Sequence, residues 1–87
     1  MKIWKFEINP ASFLVNMPKG AEVISVGTQE NCIMIWAKVN PEAKICIRRF
    51  PVYGTSHEIS EEDLSIPFIG TVIMESFVWH VFDGGEV

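Results

Sequence analysis

Hydrophobic and polar residues alternate along most of this chain, and the strongest apolar run is Cys32-Ile-Met-Ile-Trp-Ala-Lys-Val39. Both alternate faces of this run are largely apolar, which indicates a strand that is covered on both sides. Its length of about eight residues, its Ile, Val and Trp content and the stop at Asn40-Pro41 favour a strand over a buried helix. We interpret this run as the central strand of the fold.

Most of the remaining chain is typical of short strands separated by turns. Lys2–Ile8 alternates cleanly and ends at Asn9-Pro10, and Pro18-Lys-Gly20 has the composition of a turn. Pro51 has no N–H to donate to a ladder, so its strand lies at an edge or bends there. Strands are predicted near residues 2–8, 13–17, 22–27, 32–39, 44–53, 68–74 and 77–82.

The pattern as a whole predicts an all-β protein that forms a single domain over residues 1–87. We expect a small antiparallel barrel or sandwich of about six to seven short strands, with little or no helix. Ser60-Glu-Glu-Asp63 loosely matches a capping box and predicts at most one helical turn. Residues 83–87 are expected to form a frayed tail. The predicted core comprises Trp4, Phe6, Val23, Ile33, Ile35, Val39, Ile47, Val72, Val78 and Val81.

Composition narrows the classes of function that fit this fold. Hydrophobic residues make up 48% of only 87 residues, more than so small a domain can bury, and self-association into a homo-oligomer is the usual outcome. The net charge of −4 argues against direct binding to nucleic acid phosphates or to an anionic membrane. No signal peptide or transmembrane run is found, so we expect a cytoplasmic protein with reduced Cys32 and Cys46.

Several short motifs occur in a characteristic order along the chain. They are Ile3-Trp4-Lys5-Phe6, Met17-Pro18 with Gly20-Ala21, Trp36-Ala37, Asn40-Pro41, Arg49-Phe50, Val52 with Gly54-Thr55 and His57, Ile69-Gly70-Thr71, and Trp79-His80-Val81-Phe82. Together they resemble a family of small uncharacterised proteins found in bacteriophage and prophage genomes. The resemblance implies a phage origin and action in the host cytoplasm, and it brings no established enzymatic activity. Ser56 departs from the pattern, because the family usually has Gly between Thr55 and His57.

The residue types needed for metal binding or catalysis do not form a recognisable set. His57, His80, Cys32 and Cys46 lack the two-to-four-residue spacing of structural zinc sites, so no metal and no cofactor are predicted. The sequence contains no Gly-rich phosphate loop, no GxSxG elbow and no HExxH motif. We therefore expect a protein that is not an enzyme.

The polar residues that best fit ligand binding follow one another closely in sequence. Arg48 and Arg49 offer planar guanidinium groups suited to phosphate or carboxylate, and Thr55 and His57 lie in the loop after Gly54. Trp79 provides an aromatic face for stacking on a nucleobase. The predicted ligand site is thus Arg48, Arg49, Thr55, His57 and Trp79. The alternative is that both arginines pair with surface carboxylates and that the tryptophans pack in the core.

Three functions remain open from the sequence. The favoured one is a non-catalytic, oligomeric binding protein that counters host defence by sequestering a nucleotide-derived immune signal. The second is a protein-binding inhibitor of a host defence enzyme, comparable to an anti-CRISPR protein. The third is a virion or assembly component with an edge-strand interface.

Overall fold

Eight strands form three antiparallel sheets in the computed structural model, which describes residues 1–87. Strands account for 57% of the residues and there is no α-helix, which confirms the predicted all-β class. Glu61–Asp63 forms a single 3-10 turn. The strands are β1 (Lys2–Ile8), β2 (Leu14–Pro18), β3 (Glu22–Gln29), β4 (Cys32–Val39), β5 (Ile45–Arg49), β6 (Val52–Gly54), β7 (Phe68–Met74) and β8 (Phe77–Phe82).

Strand β4 lies in the middle of the first sheet, whose order is β1-β4-β3, as the sequence predicts. Ile35 is opposite Phe6 on β1 and Val26 on β3, so these side chains share the inner face. On the outer face Trp36 is half-buried and covers Gly27, while its cross-strand partner Lys5 is exposed. The inner face of β4 is therefore core, and its outer face is a mixed surface.

The second and third sheets have the orders β2-β5 and β6-β8-β7. The segment that we predicted as one strand over residues 44–53 is divided between them by Phe50 and Pro51. The Phe50 N–H donates to the carbonyl of Phe13 (2.7 Å), whereas the Pro51 carbonyl accepts from the Phe82 N–H (2.9 Å). Pro51 thus bends the chain from one sheet into the next, because it cannot continue the ladder of β5.

The three sheets pack around one core in a sandwich-like arrangement that is not a closed barrel. Strand β3 lies alongside β7, and β1 lies near β2, but no backbone hydrogen bond joins either pair. No helix in the chain is long and apolar enough to cross a membrane. The buried core consists of Ile8, Val15, Met17, Ala21, Ile33, Ile35, Ala37, Val39, Phe50, Val52, Val72 and Val81.

Two predicted core residues are exposed, and a third, Val78, is half-buried opposite the exposed Ile73 and lies outside the core. Ile47 is 45% exposed and Trp4 is 36% exposed. On β5 the inner positions are Cys46 and Arg48, which are opposite the buried Met17 and Val15, so Ile47 points outward. The alternation on β5 was assigned to the wrong face, because an arginine was not expected on the inner side.

The frayed tail is also a wrong prediction, because residues 83–87 follow the free edge of β5. The Gly84 N–H donates to the carbonyl of Arg49 (2.8 Å), the Arg49 N–H to Gly85 (3.0 Å), and the Val87 N–H to Ile47 (2.9 Å). Glu86 forms an antiparallel bridge with Arg48. This segment therefore covers an edge that would otherwise expose unpaired backbone groups.

Replacing Ile35 with alanine tests the position of the core. Because Ile35 is fully buried, Ile35→Ala should lower the free energy of unfolding by about 2–5 kcal/mol. The matched control is Ile73→Ala on β7, where the side chain is 70% exposed and the loss should stay below about 0.5 kcal/mol. Chemical denaturation measures both, and equal losses would contradict this core.

Candidate functional site

The loop after β6 turns sharply over residues Gly54 to His57. The His57 N–H donates to the Gly54 carbonyl, and the Gly54 N–H donates to Nδ1 of His57, each over 3.1 Å. Ser56 adopts a φ of +74°, in the left-handed region that glycine occupies without strain. The loop thus holds Ser56 in a backbone conformation that favours glycine.

His57, Trp79 and Phe77 form a row of aromatic rings beside this loop. The rings of His57 and Trp79 meet edge to face at 6.4 Å, and those of Trp79 and Phe77 are stacked at 5.7 Å. Gly54 makes room for His57, since a Cβ at Gly54 would lie 2.7 Å from Cε1 of that ring. The row borders a cavity of about 230 Å³ that Thr55 and Ser76 also line.

His80, on β8, links the loop after β6 to strand β7. Its Nε2 lies 2.9 Å from the Thr55 hydroxyl, and its Nδ1 lies 2.9 Å from the Thr71 hydroxyl. A second cavity of about 220 Å³ opens here, with Phe68 and Phe82 among its walls. His80 was not among the residues predicted for the site. Its place opposite Thr71, in adjacent strands that alternate regularly, was the available signal.

Arg49 forms an ion pair with the buried carboxylate of Asp63. Its Nη2 lies 2.6 Å from Oδ1 of Asp63, whose side chain is only 3% exposed. Oδ2 of Asp63 also accepts from the Tyr53 hydroxyl (2.6 Å) and from the Ser60 hydroxyl (3.2 Å). The Arg49 hydrogen bond, aided by Tyr53, outweighs burial and lowers the pKa of Asp63 below its ordinary value. This cluster fastens the segment from Gly54 to Asp63 onto the sheets.

Arg48 is held in the same way on the opposite side of β5. Its Nε lies 3.2 Å from Oδ1 and its Nη2 lies 2.5 Å from Oδ2 of Asp83, and Nη1 donates to the Ala21 carbonyl. The guanidinium also lies over the ring of Phe50, 5.7 Å from its centre. Burial opposes ionisation of Asp83, but hydrogen bonds from Arg48 and from the Gly85 N–H lower its pKa overall.

The structure therefore divides the predicted ligand site into two groups. Thr55, His57 and Trp79 come together around the loop, as expected from the sequence. Arg48 and Arg49 point to opposite sides of β5, and both are paired with carboxylates. The alternative expected such pairing at the surface, but Asp63 is buried and Asp83 is largely buried. No group of three or more His, Cys, Asp or Glu side chains is placed to hold a metal ion.

Loss of the Asp63 charge should destabilise the fold at neutral pH. Asp63→Asn weakens the charge-assisted hydrogen bond to Arg49, and we expect a cost of about 2–3 kcal/mol at pH 7. Because the folded pKa is lowered, the ionised carboxylate stabilises the fold above its unfolded pKa of about 3.9. That contribution is lost as the pH falls through the folded value.

Urea denaturation between pH 7 and pH 2 measures this effect. The difference between the parent and Asp63→Asn should shrink as the pH falls below about 4, where the unfolded chain begins to bind the proton, and should be smallest below the folded pKa of Asp63, where both proteins carry a neutral side chain. Glu61→Gln, in the same turn at an exposed position, is the matched control and should change little. A difference between parent and Asp63→Asn that stays constant across the range would contradict the ion pair.

Comparison with known proteins gives a single match. No curated protein and no solved structure matches the chain. A family model described as a domain of unknown function, DUF7352, matches residues 1–86. Because this match covers nearly the whole chain, the protein belongs to the DUF7352 family.

Proposed function

We propose that this protein is a non-catalytic binding protein of phage origin that acts in the host cytoplasm, where it sequesters a nucleotide-derived immune signal. The observation that carries the proposal is the convergence of Thr55, His57 and Trp79, with Phe77, around one cavity. The phage setting rests on the resemblance of the sequence motifs.

The row of rings fits the planar base of such a ligand. A half-buried indole that is already stacked on Phe77 presents a rigid surface, and stacking of a base on an aromatic side chain contributes about 1–3 kcal/mol. The hydroxyl groups of Thr55 and Ser76 offer donors and acceptors for the polar edge of the base. Stacking supplies the affinity here, and the hydroxyl groups orient the ring.

The arginines do not take part in binding in this proposal. Arg48 and Arg49 each have a carboxylate partner within 2.6 Å, so a phosphate would have to approach the negative charge of Asp83 or Asp63, or displace that carboxylate, to reach them. Displacement would leave a partly buried carboxylate without its counter-charge, which is strongly unfavourable. Phosphate groups of the ligand are therefore bound elsewhere than on these two guanidinium groups.

The size of the cavity supports binding between subunits of an oligomer. Ligand sites usually enclose about 300–1,000 Å³, whereas this cavity measures about 230 Å³. One subunit can therefore hold the base, and a second copy would enclose the remainder of the nucleotide. Leu14, Ile45 and Ile47 are exposed on the outer face of the β2-β5 sheet and provide an apolar surface for such association.

The same apolar face favours a second candidate function. A protein-binding inhibitor of a host defence enzyme would use Leu14, Ile45 and Ile47 to cover its target. In that case the loop cavity would have no ligand of its own. Retention of a nucleotide or of a host protein by the purified protein distinguishes the two functions.

Titration calorimetry with adenine and guanine nucleotides, cyclic dinucleotides and ADP-ribose tests the proposal. We expect the parent to bind at least one of these compounds, and Trp79→Ala or His57→Ala to weaken binding at least about tenfold, or 1.4 kcal/mol. Trp4→Ala is the matched control, because Trp4 lines none of the cavities. A parent that binds none of the compounds, or a Trp79→Ala variant that binds as tightly as the parent, contradicts the proposal.

Gly54→Ala separates the shape of the site from the stability of the fold. The new methyl group would displace the ring of His57, which is the exposed end of a side chain. The free energy of unfolding should change by no more than about 1 kcal/mol, since alanine also restricts the unfolded chain. Binding should fall as it does in His57→Ala. If Gly54→Ala binds normally, the position of His57 does not matter for the ligand.

A further inference from the structure

The largest cavity of the protein lies away from the loop, at the line where β3 runs alongside β7. It measures about 410 Å³, and its apolar walls come from Val23, Ile24, Pro67 and Phe68. The ion pair of Arg48 with Asp83 lies at its side and is largely buried. We call this line the β3/β7 seam.

Both strands of the seam are edges of their sheets. Strand β3 is the last strand in the order β1-β4-β3, and β7 is the last in β6-β8-β7. No backbone hydrogen bond connects the two strands. Each strand therefore has one edge without a hydrogen-bonded neighbour strand, and such edges readily accept an added strand.

The seam is closed at the level of Gly70 and open at the level of Ile24. A Cβ at Gly70 would lie 2.7 Å from Cγ1 of Val26, so the strands are in close contact at that level. Each strand contains an irregularity near the cavity, between Val23 and Ser25 on β3 and between Phe68 and Gly70 on β7. A bulge bends a strand away from its regular course. The cavity is thus the open end of the seam, bounded by residues 22–24 and 67–69.

Arg48 gives this open end a polar anchor. A guanidinium group has five N–H donors, and three of them are used by Asp83 and the Ala21 carbonyl. Nη1 and Nη2 each keep one N–H that these contacts do not use, and a neutral backbone carbonyl in the cavity would accept from Arg48 without disturbing the ion pair. At the rim, Glu22 is exposed and its contact with Lys38 is loose, at 3.8 Å.

We propose that an extended segment of a partner protein binds at the open end of the β3/β7 seam by strand addition. Three residues span about 10 Å in a strand, which matches the three-residue walls of the cavity. One apolar side chain of the segment fills the space between Ile24 and Phe68, and one carbonyl accepts a hydrogen bond from Arg48. Basic residues on either side of the apolar residue suit Glu22 and the net charge of −4.

A blocked pentapeptide of sequence Lys-Val-Thr-Val-Lys tests this inference by amide chemical-shift mapping on the whole protein. Main-chain bonding makes strand addition tolerant of sequence, so a simple probe is sufficient. We expect saturable shifts at millimolar peptide, centred on residues 22–25 and 67–70. The same peptide with alternate amides N-methylated should bind at least tenfold more weakly, and so should its Glu-flanked counterpart.

Ile24→Lys should also weaken the peptide at least tenfold, because it places a long cationic side chain at the mouth of the cavity. Its matched control is Ile73→Lys, at an exposed position of β7 that does not line the cavity, where binding should be unchanged. The inference is overturned by an absence of shifts, by shifts centred on Thr55 and Trp79, or by equal binding of the N-methylated peptide. It is also overturned if the seam amides shift with protein concentration alone, since a second copy would then occupy the seam.

Discussion

Two arginine–carboxylate pairs, formed by consecutive residues of β5, fasten the irregular parts of this protein to its sheets. Arg48 binds Asp83 and thereby holds the last residues of the chain along the edge of β5. Arg49 binds Asp63 on the opposite side and holds the long loop after β6. Both pairs are partly or largely withdrawn from water, so removal of either partner leaves a charge that the interior compensates poorly.

The geometry of the candidate site follows from the second pair. Asp63 also accepts hydrogen bonds from Tyr53 and Ser60, which places both ends of the loop segment against β6. The short turn from Gly54 to His57 then directs Thr55 towards His80 and the ring of His57 towards Trp79. A rigid frame with a small exposed loop is the usual way in which a compact domain presents a binding site. The arginines stabilise that frame, and the aromatic rings form the surface that we propose for ligand recognition.

Local pattern was enough to predict most of the sheets and three residues that the structure brings together around one cavity. Regular alternation identified β1, β4, β7 and β8, and Pro51 marked the bend between β5 and β6. Thr55 and His57 were predicted because they share one loop. Trp79 was predicted because its aromatic ring can stack on a nucleobase. The partners of the arginines could not be predicted, since Asp63 and Asp83 lie 14 and 35 residues further along the chain. Two predictions failed for this reason: the face of β5 that lies inward, and the conformation of residues 83–87. Both depend on the pairing of Arg48 with Asp83.

In the folded protein both guanidinium groups are paired with carboxylates, Arg49 with Asp63 and Arg48 with Asp83. A carbon-13 NMR titration of the side-chain carboxyl groups in the folded state tests this pairing most directly. We expect both aspartates to titrate below the value of about 3.9 that an unperturbed aspartate shows, and to hold their ionised chemical shift down to lower pH. Titration of either group at or above that value would show that its arginine is free, and would return that arginine to the list of ligand-binding residues.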